Sequence, residues 1–385
     1  MLAQLPPPVH GAAVMNQIVA QSGLLAGKFE LVVEPIAAVY KLEDLRRFRW
    51  SKTWRAAKLL FKVVHHLWGA RSPELVYLTF APSGYAFFRD CAIVLLCRLA
   101  GVPHVLHLHG RGIGAFVGNA AGRRTLARLA FAEAFVILLG ERLSVEVADF
   151  VSRSRIRLVP NGIDDPAAAR AEPGGHADER VDECPVVLFV SNMLREKGPV
   201  ILLEALASVA KRGIQFRAVL AGAWRGDLTE QEFWTIVRRL GLEDLVVHRG
   251  PVYGDEKRAL FEDASVFVFP TYYRNEAMPL VLLEAMAFGL PTISTSIGLI
   301  PDVIRDGEVG MIVPPGDADA LAHSIACLLC DKAGQRAMGA AARRAFEGSY
   351  TRAHFEGALV NALEDCYRAA HENWQPSASR AEAPL

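Results

Sequence analysis

The chain of 385 residues carries 42 Lys and Arg against 42 Asp and Glu, with 52% hydrophobic and 22% charged residues. This balanced charge argues against a dedicated nucleic-acid binder, and the length predicts two domains rather than one. The six cysteines are scattered and include a single CxxC pair without a second pair, so we expect reduced thiols and neither a disulfide framework nor a metal site.

Short apolar runs alternate with helix-length segments along almost the whole chain. The predicted strands lie at residues 74–80, 103–108, 134–139 and 155–159, and then at 186–190, 216–220, 245–248, 265–269, 291–294 and 310–313. Nearly continuous apolar strands, each followed by a helix, are typical of parallel sheets with both faces covered. The sequence therefore predicts an α/β protein with two Rossmann-like domains that face each other across a cleft, where ligands bind.

The domain boundaries follow from a break in this alternation. Residues 161–184 are rich in Asp, Glu, Ala, Gly and Pro and lack an apolar period, which predicts a linker. We expect an N-terminal domain at 1–160, a C-terminal domain at 185–346 and a helix at 347–370 that packs back across the junction. Residues 371–385 are predicted to be a disordered tail.

The beginning of the chain is unusual. Met1–Leu5 predicts a short first strand that runs directly into three prolines. A naturally short edge strand and a start annotated too late both explain this pattern. Residues 1–10 lack the basic start and long apolar stretch of a signal peptide, and the most apolar segment, 91–97, is too short to span a bilayer. We therefore expect a cytoplasmic protein.

Residues 41–68 form a basic segment in which apolar side chains, among them Trp54, Phe61 and Trp68, recur at roughly helical spacing. A basic amphipathic helix with Trp is typical of a membrane-surface element. A core-packed helix with a solvated basic face is the alternative. The first interpretation predicts reversible docking on the inner face of the plasma membrane and favours a lipid-linked partner.

The most informative segment reads PTYYRNEAMPLVLLEAMAFG and follows a predicted buried strand. Glu276 and Glu284 are separated by seven residues, the first on a loop and the second in a helix that Pro279 is suited to begin. The backbone N–H groups of Leu280 and Val281 at this helix start would donate to an anionic or polyhydroxyl ligand. A helix whose glutamate is merely solvent-exposed is the alternative, but the residues around Glu284, LLEAMA, are too apolar for an ordinary surface position.

This segment resembles the E-x7-E signature of retaining glycosyltransferases of the GT-B fold, especially those of family 4 (glycosyl transferases group 1). The resemblance extends over nearly the whole chain. PPPVHGAA is similar to the N-terminal loop of the family, HLHG to the strand end that faces the donor sugar, VPNGID to the interdomain connection and FVSNMLREKG to the strand–loop–Lys-Gly element. SIGLIPDVIRDGEVG and VPPGD complete the C-terminal half, and the order and spacing of the motifs together make the resemblance specific.

The resemblance implies a role for each matching residue. The implied catalytic residues are His109, which would contact the donor sugar or assist the acceptor, Glu276, which would bind the transferred sugar, and Lys197, which would meet the diphosphate. The implied donor-binding residues are Gly11, Ala12, Asn192, Arg195, Lys197, Met278, Leu280, Val281 and Glu284. Asn192 stands where the family often has an arginine, so that cation is missing or is supplied by Arg195.

The implied reaction moves a hexose-type sugar from a nucleotide-sugar donor to a lipid-linked or saccharide acceptor, with retention of anomeric configuration, as in bacterial surface polysaccharide or glycolipid assembly. The N-terminal domain would bind the acceptor and the C-terminal domain the donor. No cofactor and no divalent metal are expected, because Lys197 and helix-end amides supply the positive field. His107 is expected on the opposite face of its strand from His109. Two alternatives stay open, a catalytically silent nucleotide-sugar-binding subunit and a sugar-nucleotide epimerase on the same scaffold.

Overall fold

The computed structural model describes residues 1–7, 9–36, 50–118, 120–168 and 184–372. The chain divides into unit 1, residues 1–159 with the chain from residue 356 onward, and unit 2, residues 160–355. Residues 37–49, which include the start of the basic segment (41–49), most of the predicted linker (169–183) and the predicted tail from residue 373 lie outside the described residues. The described part of the linker, up to residue 168, belongs to unit 2.

Unit 1 is built on a parallel sheet with the strand order β2-β1-β3-β4-β5-β6. The strands are β1 (Leu2–Ala3), β2 (Glu34–Pro35), β3 (Val76–Thr79), β4 (His104–Leu108), β5 (Phe135–Leu138) and β6 (Ile156–Leu158). The helices are α1 (Gly11–Ala20), α2 (Gly23–Ala26), α3 (Trp50–Trp68), α4 (Gly84–Leu99), α5 (Ile113–Val117) and α6 (Ala121–Phe131), with 3₁₀ turns at Glu141–Glu146 and Arg153–Arg155. The four strands predicted from residue 74 onward in this unit are confirmed.

Strand β1 is not an edge strand, so that interpretation of the chain's beginning is wrong. Leu2 pairs in parallel with Glu34 of β2 on one side and with Leu78 of β3 on the other. The sequence does not predict β2, because two residues that include Pro35 give no apolar run. Proline is tolerated there because an edge position does not require its N–H in the ladder.

Unit 2 is built on a second parallel sheet with the strand order β12-β11-β10-β7-β8-β9. The strands are β7 (Val186–Val190), β8 (Arg217–Ala221), β9 (Val246–His248), β10 (Val266–Phe269), β11 (Thr292–Thr295) and β12 (Gly310–Val313). The helices are α7 (Pro199–Lys211), α8 (Glu230–Leu240), α9 (Gly254–Asp263), α10 (Leu280–Ala287), α11 (Ile300–Val303), α12 (Ala318–Cys330) and α13 (Lys332–Ser349), with a 3₁₀ turn at Arg195–Lys197. All strands predicted in the second half are confirmed.

The strand order of unit 2 fixes where a ligand can bind. Every residue of β7, β10 and β11 is buried, as both-face coverage by helices requires. The chain begins the sheet at β7, proceeds to β8 and β9 on one side, and then crosses to β10 on the other side. The sheet thus has a topological switch point between β7 and β10, and ligands of such sheets bind beyond the carboxyl ends of the strands at that point.

The last helix, α14 (Arg352–Glu372), belongs to unit 1 from residue 356 onward. In unit 1, Glu364 pairs with Lys28 at 3.1 Å, and the Tyr367 hydroxyl donates to Glu74 at 3.2 Å. These polar contacts attach the helix to its unit. None of the helices in the described residues combines the length and apolar character that crossing a bilayer requires.

Candidate active site

The centre of the candidate site is an ion pair at the switch point of unit 2. Lys197 follows β7 and Glu276 follows the neighbouring strand β10, and their ammonium and carboxylate groups form an ion pair. Both side chains are largely buried, with 15% and 13% of their surface exposed. The Lys197 ammonium also lies 4.7 Å from the centre of the Tyr273 ring. The two residues that the resemblance implies for diphosphate and sugar are therefore brought together.

Gly198 allows the loop after β7 to lie against the loop after β10. Its φ is +87°, and a Cβ atom there would overlap the carbonyl oxygen of Pro270. The Tyr272 N–H donates to the Glu196 carbonyl oxygen at 2.8 Å, and Thr271 Oγ1 donates to the same oxygen at 3.3 Å. This close backbone contact fixes the position of Lys197, because only glycine adopts the conformation and leaves the space.

Gly298 supports the loop that carries Glu276. It has a φ of +60°, and a Cβ atom there would overlap the carbonyl oxygen of Glu276. The next residue, Leu299, donates its N–H to the Ala277 carbonyl oxygen at 2.9 Å. The SIGLIPD motif therefore acts as a backbone support for the first glutamate of the E-x7-E segment. The motif is visible in the sequence, but its supporting function is not.

Helix α10 begins at Leu280, one residue later than the sequence analysis predicted. Pro279 has φ −65° and ψ 125°, which is extended backbone, so it caps the helix rather than forming its first residue. Its fixed φ suits both positions, which is why the sequence did not separate them. The backbone N–H groups of Leu280 and Val281 are in the first turn and have no acceptor within the helix. They remain suited to donate to a ligand.

Glu284 is the fifth residue of α10, and its carboxylate is half satisfied. Oε1 accepts from the Lys257 ammonium of α9 at 2.6 Å. Oε2 is buried and has no hydrogen-bond partner among the described residues. A buried carboxylate oxygen without a partner is costly, and a hydroxyl donor from a ligand would satisfy it. Lys257 was missed from the sequence because nothing in GDEKRALF distinguishes it from a solvated helix lysine.

The loop before α10 is also held from the VPNGID motif. The Asn161 side-chain amide donates to the Met278 carbonyl oxygen at 3.1 Å, and the Asn161 N–H lies 3.3 Å from Met278 Sδ. Met278 itself is only 6% exposed. Its implied contact with the donor stays a prediction, whereas its contact with Asn161 is a feature of the folded chain.

The predicted second cation of the phosphate site has other partners. The Arg195 guanidinium forms an ion pair with Glu232 and lies 3.5 Å from Asp227. Asn192, at the position where an arginine is frequent, is exposed. Of Lys197 and Arg195, Lys197 is thus the cation at the switch point. Arg195 could assist it only if its ion pairs with Glu232 and Asp227 were broken.

The implied site residues of unit 1 lie at the start of α1, after the loop that follows β1, and directly after β4. Helix α1 begins at Gly11, and His10 caps it by accepting the Ala13 N–H on Nδ1 at 3.3 Å. Burial lowers the pKa of His10, which keeps the ring neutral and able to accept. The N–H groups of Gly11 and Ala12 precede the capped amide and have no acceptor within the helix.

His107 and His109 lie on the same side of β4, so the prediction that His107 faces away was wrong. Their ring centres are 4.0 Å apart, because residues two apart along a strand share a face. His107 is fully buried, and its Nδ1 lies 2.6 Å from the Tyr77 hydroxyl oxygen. Burial and, to a smaller extent, the neighbouring His109 lower the pKa of His107 well below 6.5. His107 is therefore a neutral side chain that packs beneath His109.

Lys257→Gln is expected to weaken UDP or GDP binding about five- to tenfold, because a half-buried ion pair worth ~1 kcal/mol no longer orients the Glu284 carboxylate. Calorimetric titration with the two nucleotides measures the change. Arg258→Gln is the matched control, since Arg258 lies on the same helix and pairs with Asp255 and Glu262 instead. Equal affinities of wild type and Lys257→Gln would contradict the positioning role.

Comparison with solved structures identifies the fold. The chain aligns with Anabaena Alr3699/HepE, solved in complex with UDP and glucose, at a TM-score of 0.71 and 18% identity. The alignment covers 94% of this chain and 98% of that chain. The chain has the GT-B fold, as its two Rossmann-like sheets predict.

Comparison of sequences gives matches in one family. Residues 176–345 match the family described as glycosyl transferases group 1. A GDP-mannose-dependent alpha-(1-6)-phosphatidylinositol monomannoside mannosyltransferase of Mycobacterium tuberculosis is 29% identical over 257 residues, 64% of this chain and 66% of that protein. A D-inositol 3-phosphate glycosyltransferase of Arthrobacter sp. is 33% identical over 158 residues, 40% of this chain and 37% of that protein. The chain spans little more than a third, 35% to 38%, of the length of several curated relatives.

Proposed function

We propose that the chain is a retaining, family 4 glycosyltransferase that moves a hexose-type sugar from a nucleotide-sugar donor to an acceptor hydroxyl. The observation that carries this proposal is the largely buried Lys197–Glu276 ion pair at the switch point of unit 2. Helix α10 follows Glu276 in the sequence and carries Glu284, whose buried Oε2 has no hydrogen-bond partner among the described residues. The E-x7-E spacing supports family 4 and retention. The name of the GDP-mannose-dependent Mycobacterium tuberculosis relative and the UDP and glucose in the complex of the Anabaena protein support a nucleotide-sugar donor.

The roles of the unit 2 residues follow from their charges and positions. Glu284 Oε2 accepts a ribose hydroxyl, and the Leu280 and Val281 amides donate to the diphosphate. Lys197 passes from its contact with Glu276 toward the phosphate oxygens as negative charge grows on the leaving nucleotide. Glu276 is then the acceptor for hydroxyls of the transferred sugar.

The bond changes need no group beyond donor and acceptor. The bond between the anomeric carbon and the phosphate oxygen breaks with its electron pair going to the phosphate, which leaves an oxocarbenium-like sugar. The acceptor hydroxyl oxygen bonds to the anomeric carbon from the same face, and its proton goes to the departing phosphate oxygen. Within unit 1, His109 keeps the role that the resemblance implies, toward the sugar or the acceptor, and the Gly11 and Ala12 amides lie at a helix start suited to phosphate.

The acceptor class is proposed from one relative and from the basic segment (residues 41–68), which favours a lipid-linked partner. A phosphatidylinositol monomannoside is a glycolipid, and the Mycobacterium tuberculosis relative is named for acting on one. We propose a lipid-linked or saccharide acceptor in bacterial surface polysaccharide or glycolipid assembly.

A catalytically silent nucleotide-sugar-binding subunit is the second candidate. The observation that favours it is the engagement of Arg195 with Glu232 and Asp227, which leaves Lys197 without the second cation frequent in the family. Donor hydrolysis without acceptor separates the two candidates, because a silent subunit binds the donor but does not cleave it.

The test of the proposed function uses the purified chain with UDP-glucose, UDP-galactose or GDP-mannose, followed by proton NMR of the first sugar released. We expect release of the α-anomer from at least one of these α-linked donors, and a loss of release in Lys197→Ala. Release of the β-anomer first would contradict retention. Binding without release in both proteins would favour the silent subunit.

Donor cleavage is expected to be insensitive to EDTA, because Lys197 and the α10 amides supply the positive field. Initial rates of nucleoside diphosphate release, measured before and after chelation, test this expectation. Unchanged rates support a metal-independent reaction. Rates that fall at least about tenfold and return with Mg²⁺ or Mn²⁺ would contradict it, since a bound metal supplies several kcal/mol of charge stabilisation.

A further inference from the structure

Helix α3 has apolar side chains on two opposite faces. Leu59, Val63 and Leu67 are 8%, 4% and 4% exposed and form its buried face, which packs on α4. On the other side Trp54 and Phe61 are each 74% exposed, and Trp68 is 54% exposed. A helix that only packed on a core would carry polar residues there. The outer face therefore needs a separate explanation.

The three outer aromatic residues form a straight row. They stand at seven-residue intervals in the sequence, so each lies two turns above the last on one side of the helix. At a rise of about 1.5 Å per residue, the row is roughly 21 Å long. Single exposed apolar residues are ordinary, but three large aromatic side chains on one face of a helix form an apolar surface that marks an interaction site.

The charge of the same region points to an anionic partner. Residues 45–73 contain eight Lys or Arg and no Asp or Glu. Lys58 and His65 are exposed and lie on the same face as the aromatic row, by helical spacing. On the flank of the helix, the Lys62 ammonium pairs with Glu34 at 2.7 Å, so Lys62 adds little net charge there, and Lys58 is a cation on the face of the row itself.

We propose that the row Trp54–Phe61–Trp68, with its basic surroundings, docks unit 1 on an anionic lipid bilayer. Trp and Phe suit the boundary between headgroups and acyl chains, and Lys and Arg bind the anionic headgroups. A protein partner or a second copy of the chain would also cover the aromatic row, but an all-basic segment repels its own copy. The proposal is drawn from the exposure and charge of α3, none of whose residues is an implied site residue, so it does not rest on the proposed function.

The experiment measures co-sedimentation of the full chain with phosphatidylcholine vesicles that contain, or lack, phosphatidylglycerol. Wild type is expected to bind the anionic vesicles only and to be released by salt, because exposed charges are screened within about 8–10 Å at physiological ionic strength. Replacing Trp54, Phe61 and Trp68 with Ser is expected to lower the bound fraction about tenfold or more. Replacing Arg46, Arg47, Arg49 and Lys52 with Gln is expected to do the same.

The control replaces Leu99, Leu129 and Val145 with Ser. These apolar residues of unit 1 are 77%, 46% and 74% exposed but lie outside α3, so vesicle binding should stay at the wild-type level. Donor cleavage should be unchanged in every variant, which separates failure of docking from failure of the proposed function.

Three results would overturn the proposal. The first is equal vesicle binding by wild type and the aromatic variant, and the second is salt-insensitive binding to both kinds of vesicle. The third is absence of binding by wild type. In that case, sedimentation equilibrium that shows a dimer in wild type and a monomer in the aromatic variant would assign the row to a second copy.

Discussion

Glu276→Gln is expected to lower donor cleavage by about 100-fold or more while UDP or GDP affinity stays the same or increases. Glutamine keeps the shape of the side chain but loses the charge that pairs with Lys197. The Lys197 ammonium is then available to the diphosphate without competition, which favours the bound nucleotide. The sugar hydroxyls lose a charged acceptor, which raises the barrier to cleavage.

Glu284→Gln is expected to have the opposite pattern. Its carboxylate would hold the ribose, so loss of the charged acceptor should weaken nucleotide binding by ~1.5–3 kcal/mol, or about 10- to 100-fold. Cleavage at saturating donor should be little affected. Calorimetry and single-turnover kinetics measure the two properties, with the exposed, Arg305-paired Glu308 changed to Gln as control. Equal losses of both properties in both variants would contradict the separate roles.

Gly198→Ala is expected to destabilise the protein by about 2–5 kcal/mol and to abolish donor cleavage. The residue has a φ of +87°, and its added methyl group would overlap the Pro270 carbonyl oxygen. Relief of this overlap must separate the loops that hold Lys197 and Glu276. Differential scanning calorimetry measures the loss of stability, and the donor-cleavage assay measures the loss of activity that follows when Lys197 and Glu276 are separated.

Gly213→Ala is the matched control for this substitution. Gly213 has a similar φ of +75°, but a Cβ atom there would have no heavy atom within 4 Å. It should therefore cost only the backbone strain, about 1–2 kcal/mol, and leave cleavage intact. If both variants lose the same stability and both stay active, the contact between Gly198 and Pro270 does not position the site.

The parallel sheets could be predicted from sequence because buried strands leave a strong signal. Val186–Val190 and Val266–Phe269 are apolar at every position, and such runs between helices have few other interpretations. Strand β2 gives no such signal, since it consists of Glu34 and Pro35 and is defined only by its pairing with β1. Its absence from the prediction made β1 look like an edge.

The candidate site was predicted as a set of residues but not as a set of contacts. The motifs locate Lys197, Glu276 and Glu284, whereas the ion pairs that join them to each other or to Lys257 depend on loops and helices meeting in three dimensions. Lys197 and Glu276 stand 79 positions apart in the sequence, so no local pattern would pair them. Side chains two positions apart on a strand share a face, so the common face of His107 and His109 could have been predicted from the sequence. The prediction placed them on opposite faces and was wrong.

Nucleotide-sugar binding by the full chain is the property that tests the proposed function most directly. It is measured as the shift in melting temperature with UDP-, GDP-, ADP- and TDP-sugars, because a ligand that binds the folded state raises that temperature by mass action. At least one of the four classes should raise the melting temperature of wild type and of Glu308→Gln, and the shift should be much smaller for Glu284→Gln. No shift with any class at saturating concentration, or an undiminished shift in Glu284→Gln, would contradict a donor site built on the switch point of unit 2.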